Sequence, residues 1–141
     1  HLKRTILENV AYGKTLTVED IADAQINRSI LFNHISGILD KYDVIACPVV
    51  GLVAGPVAEE YPSEINGYPY GDYLDWLCFS NLATVTGLPA ISLPAGFTPD
   101  GMPMAIQLIG PNRGEGKLLA VARAIEQMLG LSSKPIDPVV V

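Results

Sequence analysis

Residues 87–110 read GLPAISLPAGFTPDGMPMAIQLIG, an apolar stretch cut at short intervals by proline and glycine. Such tight punctuation leaves room only for short buried strands joined by defined turns. Ala90 to Leu93 is expected as one strand, bracketed by Pro89 and Pro94. In Pro99-Asp100-Gly101 the proline fixes φ and the glycine supplies positive φ, so the chain turns there. Met104 to Ile109 then returns as the antiparallel partner. Its two faces, Met104/Ile106/Leu108 and Ala105/Gln107/Ile109, are both largely apolar. A strand of that kind belongs in a sheet covered by helices on both faces.

The helices that would cover it can be read on either side. Residues 5–12 form the end of a helix stopped by Gly13, and Thr17 opens a T-V-E-D start in which Asp20 can reach back to the cap. That second helix is expected from Val18 to Tyr42, with Leu31, Ile35, Ile38, Leu39 and Tyr42 on one face. Ile21, Ala22, Ile26 and Ile30 point elsewhere, which implies packing on more than one side. Val44 to Cys47 is a short strand before Pro48. A long Pro/Gly-rich loop follows, PVVGLVAGPVAEEYPSEINGYPYG, of a kind that compact domains keep for function or packing. Asp72 restarts a helix through DYLDWLCFSNLATV, ended by Gly87. Residues 115–129 supply a last one, with Leu118, Leu119, Ala122, Ile125 and Leu129 on its apolar face and Gly130 as stop. The fold class is therefore α/β, part of a mixed β-sheet with helices on both faces. Three strands make a thin core for that plan, so further strands are expected upstream of His1.

Composition narrows the function classes. The chain has 141 residues, of which 49% are hydrophobic and 17% charged, the profile of one ordered domain or a piece of a larger one. Nine basic against fifteen acidic residues give a net charge of −6. Nucleic acids and anionic membranes demand a basic footprint, so neither is an expected partner. Cys47 and Cys78 lie far apart and the only imidazoles are His1 and His34. A disulfide framework and a metal site are both disfavoured, no cofactor is expected, and reduced thiols point to a cytoplasmic setting. No apolar run approaches the roughly 18 residues of a membrane-spanning helix.

Longer motifs go further. The run TGLPAISLPAGFTPDGMPMAIQLIGPNRGEGKLLAVARAIEQ resembles the C-terminal end of the amidase signature family, which closes with a Gly-Leu-Pro-Ala strand, a turn, an apolar strand ending in Gly and a helix ending in Glu-Gln. YDVIACPVVG is similar to that family's Tyr-Asp strand running into a Pro loop, and EINGYPYGDYLDW to a segment of one branch. The likeness extends from ILENVAYG to AIEQ. It implies hydrolysis of a small-molecule carboxamide by a nucleophilic serine, a second serine in a cis-peptide setting and a lysine. A neutral lysine can take the relayed proton, because lysine pKa values fall readily on burial. Backbone N–H groups of a Gly-rich loop would hold the oxyanion.

The Gly/Ser-rich signature carrying those groups lies upstream in the family, and no Gly-Gly-Ser-Ser stretch occurs here. By this resemblance, residues 1–141 are a single C-terminal segment of a larger amidase-like domain, with 131–141 as a tail. The segment would serve as scaffold and pocket wall, be inactive alone and contain no catalytic residue. Its incompletely covered sheet would favour self-association. The alternative is a self-standing, non-catalytic binding or assembly module, suggested by the length and the long loop.

Candidate site residues follow from position. Trp76, Phe79 and Ser80 lie on the helix just past the long loop, and by resemblance the Phe-Ser pair falls along the acyl or leaving-group channel. Cys47 precedes the Pro loop where relatives often carry Thr, so it is expected at the pocket border. These four are the expected substrate-binding residues; plain core packing is the competing reading for each. Glutamine-using relatives tend to carry an acidic residue two before that Phe. Leu77 stands there instead, which disfavours glutamine as the ammonia donor and favours a general amide, apolar ones included. Three other features carry no such weight. Ser132-Ser133-Lys134 has catalytic letters, yet adjacent residues in a tail cannot hold a relay in register. GPNRGEGK at 110–117 has P-loop spacing off by one and Pro111 in place of a donor, so it reads as a strand-to-helix connection. His34 and Ser36 are two apart on a helix and point to different sides.

Overall fold

A computed structural model describes residues 2–131. Helix α1 spans Arg4–Gly13 and α2 spans Val18–Leu39. Thr17 caps α2 as expected: its side chain accepts from the Asp20 amide, and the Asp20 carboxylate accepts from the Thr17 amide at 2.8 Å. The chain then makes strand β1 (Ile45–Pro48), a short hairpin of β2 (Glu64–Ile65) and β3 (Tyr68–Pro69), and helix α3 (Cys78–Thr86). Strands β4 (Ala90–Phe97) and β5 (Pro103–Ile109) and helix α4 (Glu115–Leu129) complete it.

The main sheet has the order β1-β5-β4, and both of its pairings are antiparallel. The central strand is thus the last of the three in sequence. Its turn forms where Pro99-Asp100-Gly101 requires it: Gly101 has φ 82°, and the Thr98 amide donates to the Met102 carbonyl at 2.8 Å. Strand β4 runs past Pro94, beyond the Ala90–Leu93 span that the prolines suggested. Both β1 and β4 are edge strands, where a missing N–H costs no ladder bond if it faces outward. A register shift between Pro94 and Gly96 also absorbs one extra residue.

Helices do cover both faces. On one side Ile109 packs with Ile35 and Leu39 of α2, Ala83 of α3 and Leu88. On the other, Leu108 and Leu93 pack with Leu118 and Ala122 of α4. Arg28 ties α2 to the end of α3 by donating from Nε to the Val85 carbonyl at 2.7 Å, satisfying a carbonyl that the helix end leaves open.

Three details depart from the sequence reading. Helix α2 ends at Leu39, and Tyr42 is exposed rather than on the buried face. Ile21, Ile26 and Ile30 are exposed too, so among the described residues these apolar side chains of α2 are left largely uncovered. Helix α3 begins at Cys78, not Asp72, and follows a 3-10 turn at Asp75–Leu77. The aspartates cause the delay: Asp75 Oδ2 accepts from the Gly71 amide at 2.6 Å, and Asp72 Oδ1 from the Leu74 amide at 2.6 Å. Those side chains compete with helical hydrogen bonding. Residues 110–114 connect β5 to α4 as expected, folded so that the Gly114 amide donates to the Pro111 carbonyl at 2.9 Å. Ser132, Ser133 and Lys134 lie outside the described residues. Among those described, no helix is long and apolar enough to cross a membrane.

Candidate functional site

The loop after β1 does not lie flat on the sheet. Together with the start of α3 and the start of β5 it borders an open cavity of about 1180 Å³. Residues 48–57 form one wall, Trp76 and Phe79 the opposite one, and Pro103, Met104 and Ala105 the side made by the central strand. Val49, Val50, Leu52, Val53, Val57 and Ile65 make the lining mainly apolar, with Glu59 and Glu60 as its carboxylates and Tyr61 as its phenol. A concave apolar lining of this kind is complementary to an apolar body.

Local sequence explains how the loop stands off the sheet. Asn66 and Gly67 both have positive φ, 50° and 78°, the backbone of a tight hairpin turn that closes β2 on β3. The Asn-Gly pair was the available sequence signal for this hairpin, hidden within the long loop. Tyr61 stacks edge-on to Tyr73 at 5.4 Å, and Tyr73 edge-on to Trp76 at 6.3 Å, joining the loop to the 3-10 turn through aromatic contacts. At Gly51 the loop backbone comes so close to the other wall that a Cβ would stand 3.7 Å from Phe79 Cε2 and 3.3 Å from Ile65 Cδ1. Lys3 of α1 holds the loop's far end through Glu60 at 3.1 Å, an exposed ion pair worth little by itself.

The four expected site residues separate into two pairs. Trp76 and Phe79 line the cavity directly. The Trp76 indole Nε1 is buried and has no acceptor among the described residues. Cys47 and Ser80 are half-buried and are not among the lining residues. Cys47 immediately precedes Pro48, the first lining residue, and the Ser80 hydroxyl donates to the Leu77 carbonyl of its own turn at 2.9 Å. Leu77 is half-buried and is not among the lining residues. Cys47 and Cys78 are free thiols. His34 is exposed on α2.

One residue at the foot of the site has no counterpart among these expectations. Gln107 is 7% exposed, and its Nε2 donates to the Phe79 carbonyl at 3.0 Å and to Cys47 Sγ at 3.3 Å. The signal was present as the lone polar side chain on an apolar face of the most buried strand.

Residues 3–119 match the amidase family model, a span that contains both cavity walls and the whole sheet. The chain belongs to the amidase family. The resemblance to amidase signature enzymes read from the TGLPAIS to AIEQ run is borne out. Fatty acid amide hydrolase of Medicago truncatula is 32% identical over 130 residues, covering 89% of this chain and 21% of that protein. Acylamidase of Rhodococcus erythropolis is 29% identical over 138 residues, covering 96% of this chain and 29% of that protein. A bacterial aryl acylamidase of the amidase signature enzymes shares the fold with a TM-score of 0.82 over 96% of this chain and 29% of its own, at 24% identity. This amidase-family chain therefore spans between about a fifth and three-tenths of the length of these relatives.

Proposed function

We propose that this chain is the pocket-bearing part of an amide hydrolase, and that its cavity receives the apolar portion of a carboxamide substrate. The observation that carries this reading is the apolar cavity, built entirely from the segment that matches the amidase family. Trp76 and Phe79 contact the substrate from one wall, and Cys47 and Ser80 support the two walls from behind. An apolar or aryl amide fits the lining; free glutamine, with its charged amino and carboxyl groups, does not. The names of two relatives, a fatty acid amide hydrolase and an acylamidase, agree with that substrate class.

In this reading the bond-breaking groups belong to polypeptide outside these 141 residues. A serine Oγ attacks the carbonyl carbon, the C–N bond breaks and the amine leaves with a proton returned from the lysine relay. Water then releases the carboxylate and regenerates the serine. The chain alone is inactive and needs no cofactor.

The extent of exposed surface supports a role within a larger body. The chain exposes 10765 Å², where a compact monomer of its mass would expose about 7,100 Å². The residues outside the description, taken as bare extended chain, would supply only about 1,700 Å² of that excess. Exposed apolar side chains such as Ile21, Ile26 and Ile30 also favour pairing between copies of the isolated chain. The free thiols suit a cytoplasmic setting.

The test compares the 141-residue chain with a longer polypeptide in which an amidase Gly/Ser-rich segment precedes it. The longer protein is expected to hydrolyse aryl and acyl amides and to be labelled by a serine-directed sulfonyl fluoride, and the chain alone to do neither. Hydrolysis by the chain alone, or an inert and unlabelled longer protein, would overturn the reading.

A further inference from the structure

The width of the cavity depends on how its two walls are fastened to the sheet, and one side chain fastens both. We propose that Gln107 is a positioning residue that sets the separation of the loop wall from the helix wall. It sits on the central strand directly opposite Cys47 of β1 in the sheet register. Cys47 is the last residue before the lining begins at Pro48, and Phe79 is itself a lining residue. Ala105, two residues before Gln107 and so on the same face of the strand, also lines the cavity. The carboxamide therefore lies at the meeting point of the two walls.

Its chemistry suits that task. A primary amide has two N–H bonds on one nitrogen, and here Nε2 has one acceptor on each wall: the Phe79 carbonyl and Cys47 Sγ. The Phe79 carbonyl stands in the first turn of α3, so it can accept from its own helix and from Gln107 through separate lone pairs. That second bond fixes the height of the turn bearing the Phe79 ring above the sheet. Desolvating a carboxamide is costly unless it is satisfied, whereas Leu or Met would fill the same space without that cost. What the polar group adds over an apolar one is a directional contact to each acceptor. At Gly51 a Cβ would meet the Phe79 ring at an ordinary contact distance of 3.7 Å, so the loop wall and the helix wall run close to each other there.

Two independent readings test the proposal, and only the second rests on the amide-hydrolase reading. Trp76 is the single tryptophan of the chain and lines the cavity, so its emission reports the helix wall. Gln107→Met keeps the length and removes both donors; Cys47→Ala removes one acceptor and disturbs the core less. Thr86→Val is the control, because the buried Thr86 hydroxyl bonds only within α3, to the Leu82 and Ala83 carbonyls. In the 141-residue chain, Gln107→Met is expected to red-shift Trp76 emission and raise its quenching by acrylamide at unchanged far-UV circular dichroism. Cys47→Ala should give a smaller change of the same sign, and Thr86→Val none. In the catalytically complete polypeptide, Gln107→Met should raise KM for bulky apolar amides about threefold to tenfold, the worth of one net hydrogen bond, and leave kcat and the KM for acetamide-sized substrates unchanged.

If neither Gln107→Met nor Cys47→Ala moves Trp76 emission beyond the Thr86→Val control, Gln107 is ordinary core and the proposal falls. A kcat loss equal for large and small amides would also overturn it. A shifted emission with no amide hydrolysed by the complete polypeptide would instead sink the functional reading and leave the positioning role standing.

Discussion

Leu108 and Ile109 are neighbours on β5, point to opposite sides of the sheet, and are both completely buried. Each completes a different cluster, Leu108 beneath α4 and Ile109 beneath α2 and α3. Leu108→Ala and Ile109→Ala are each expected to destabilise the chain by about 2–5 kcal/mol, read from urea unfolding. Met104→Ala, half-exposed at the far end of the same strand, should cost much less. Equal losses at all three positions would contradict the two-sided burial.

Gly114 closes the connection into α4 so tightly that a Cβ there would lie 2.6 Å from Pro111 Cγ and 2.9 Å from the Pro111 carbonyl oxygen. Ring and backbone cannot swing aside as a flexible side chain would. Gly114→Ala should therefore lower stability by about 1–3 kcal/mol, whereas Gly116→Ala, with open space around it, should be neutral or mildly stabilising. Thermal melts of the two variants side by side would check this.

The Asp20 carboxylate is held below its ordinary value of 3.8 by hydrogen bonds from the Thr17 backbone and then the Thr17 side chain. A folded pKa below the unfolded one stabilises the protein above pH 3.8 and loses that contribution as pH falls through the lower folded value. Asp20→Asn is expected to reduce stability at neutral pH and to flatten the fall in stability below pH 4. Unfolding midpoints measured from pH 7 down to pH 2 would show parallel curves if the capping box contributed nothing.

At Gly51 a Cβ would press on Ile65 Cδ1 at 3.3 Å and meet Phe79 Cε2 at 3.7 Å, so a larger side chain there would crowd the cavity wall. In a catalytically complete polypeptide, Gly51→Val should cost about tenfold or more in kcat/KM for a bulky apolar amide. An amide small enough to avoid that part of the wall should be spared. Steady-state kinetics on a series of acyl lengths would reveal a uniform loss if the cavity were not the substrate site.

The exposed Ile21, Ile26 and Ile30 of α2 predict that the isolated chain associates with itself and binds hydrophobic dyes. Light scattering showing a clean, dye-silent monomer would contradict this.

Much of this fold was legible because its signals are local. The capping box at Thr17, the Pro99-Asp100-Gly101 turn and the glycine stops at Gly87 and Gly130 act within a few residues, and each forms where it was expected. What escaped the sequence depended on competition or on distance. The start of α3 is set by Asp72 and Asp75 capturing amides that the helix would otherwise use. Trp76 and Phe79 could be singled out from their place on the chain, yet the wall facing them comes from residues 48–57, which only the folded loop brings across. Gln107 looked like one polar interruption of an apolar strand. Its acceptors lie 28 and 60 residues away, beyond the reach of any periodicity.

The strand at the centre of the sheet is also the last of the three to be synthesised. While the chain is being made, β4 and β5 can close as a hairpin almost at once, since only residues 98–102 separate them. Among the described residues strand β1 has no such neighbour and waits some sixty residues for its partner. Until then its edge, and the apolar loop behind it, stand open to any other unpaired strand nearby. Slow synthesis or a delayed hairpin would thus act first on β1 and on the pocket wall that it leads into.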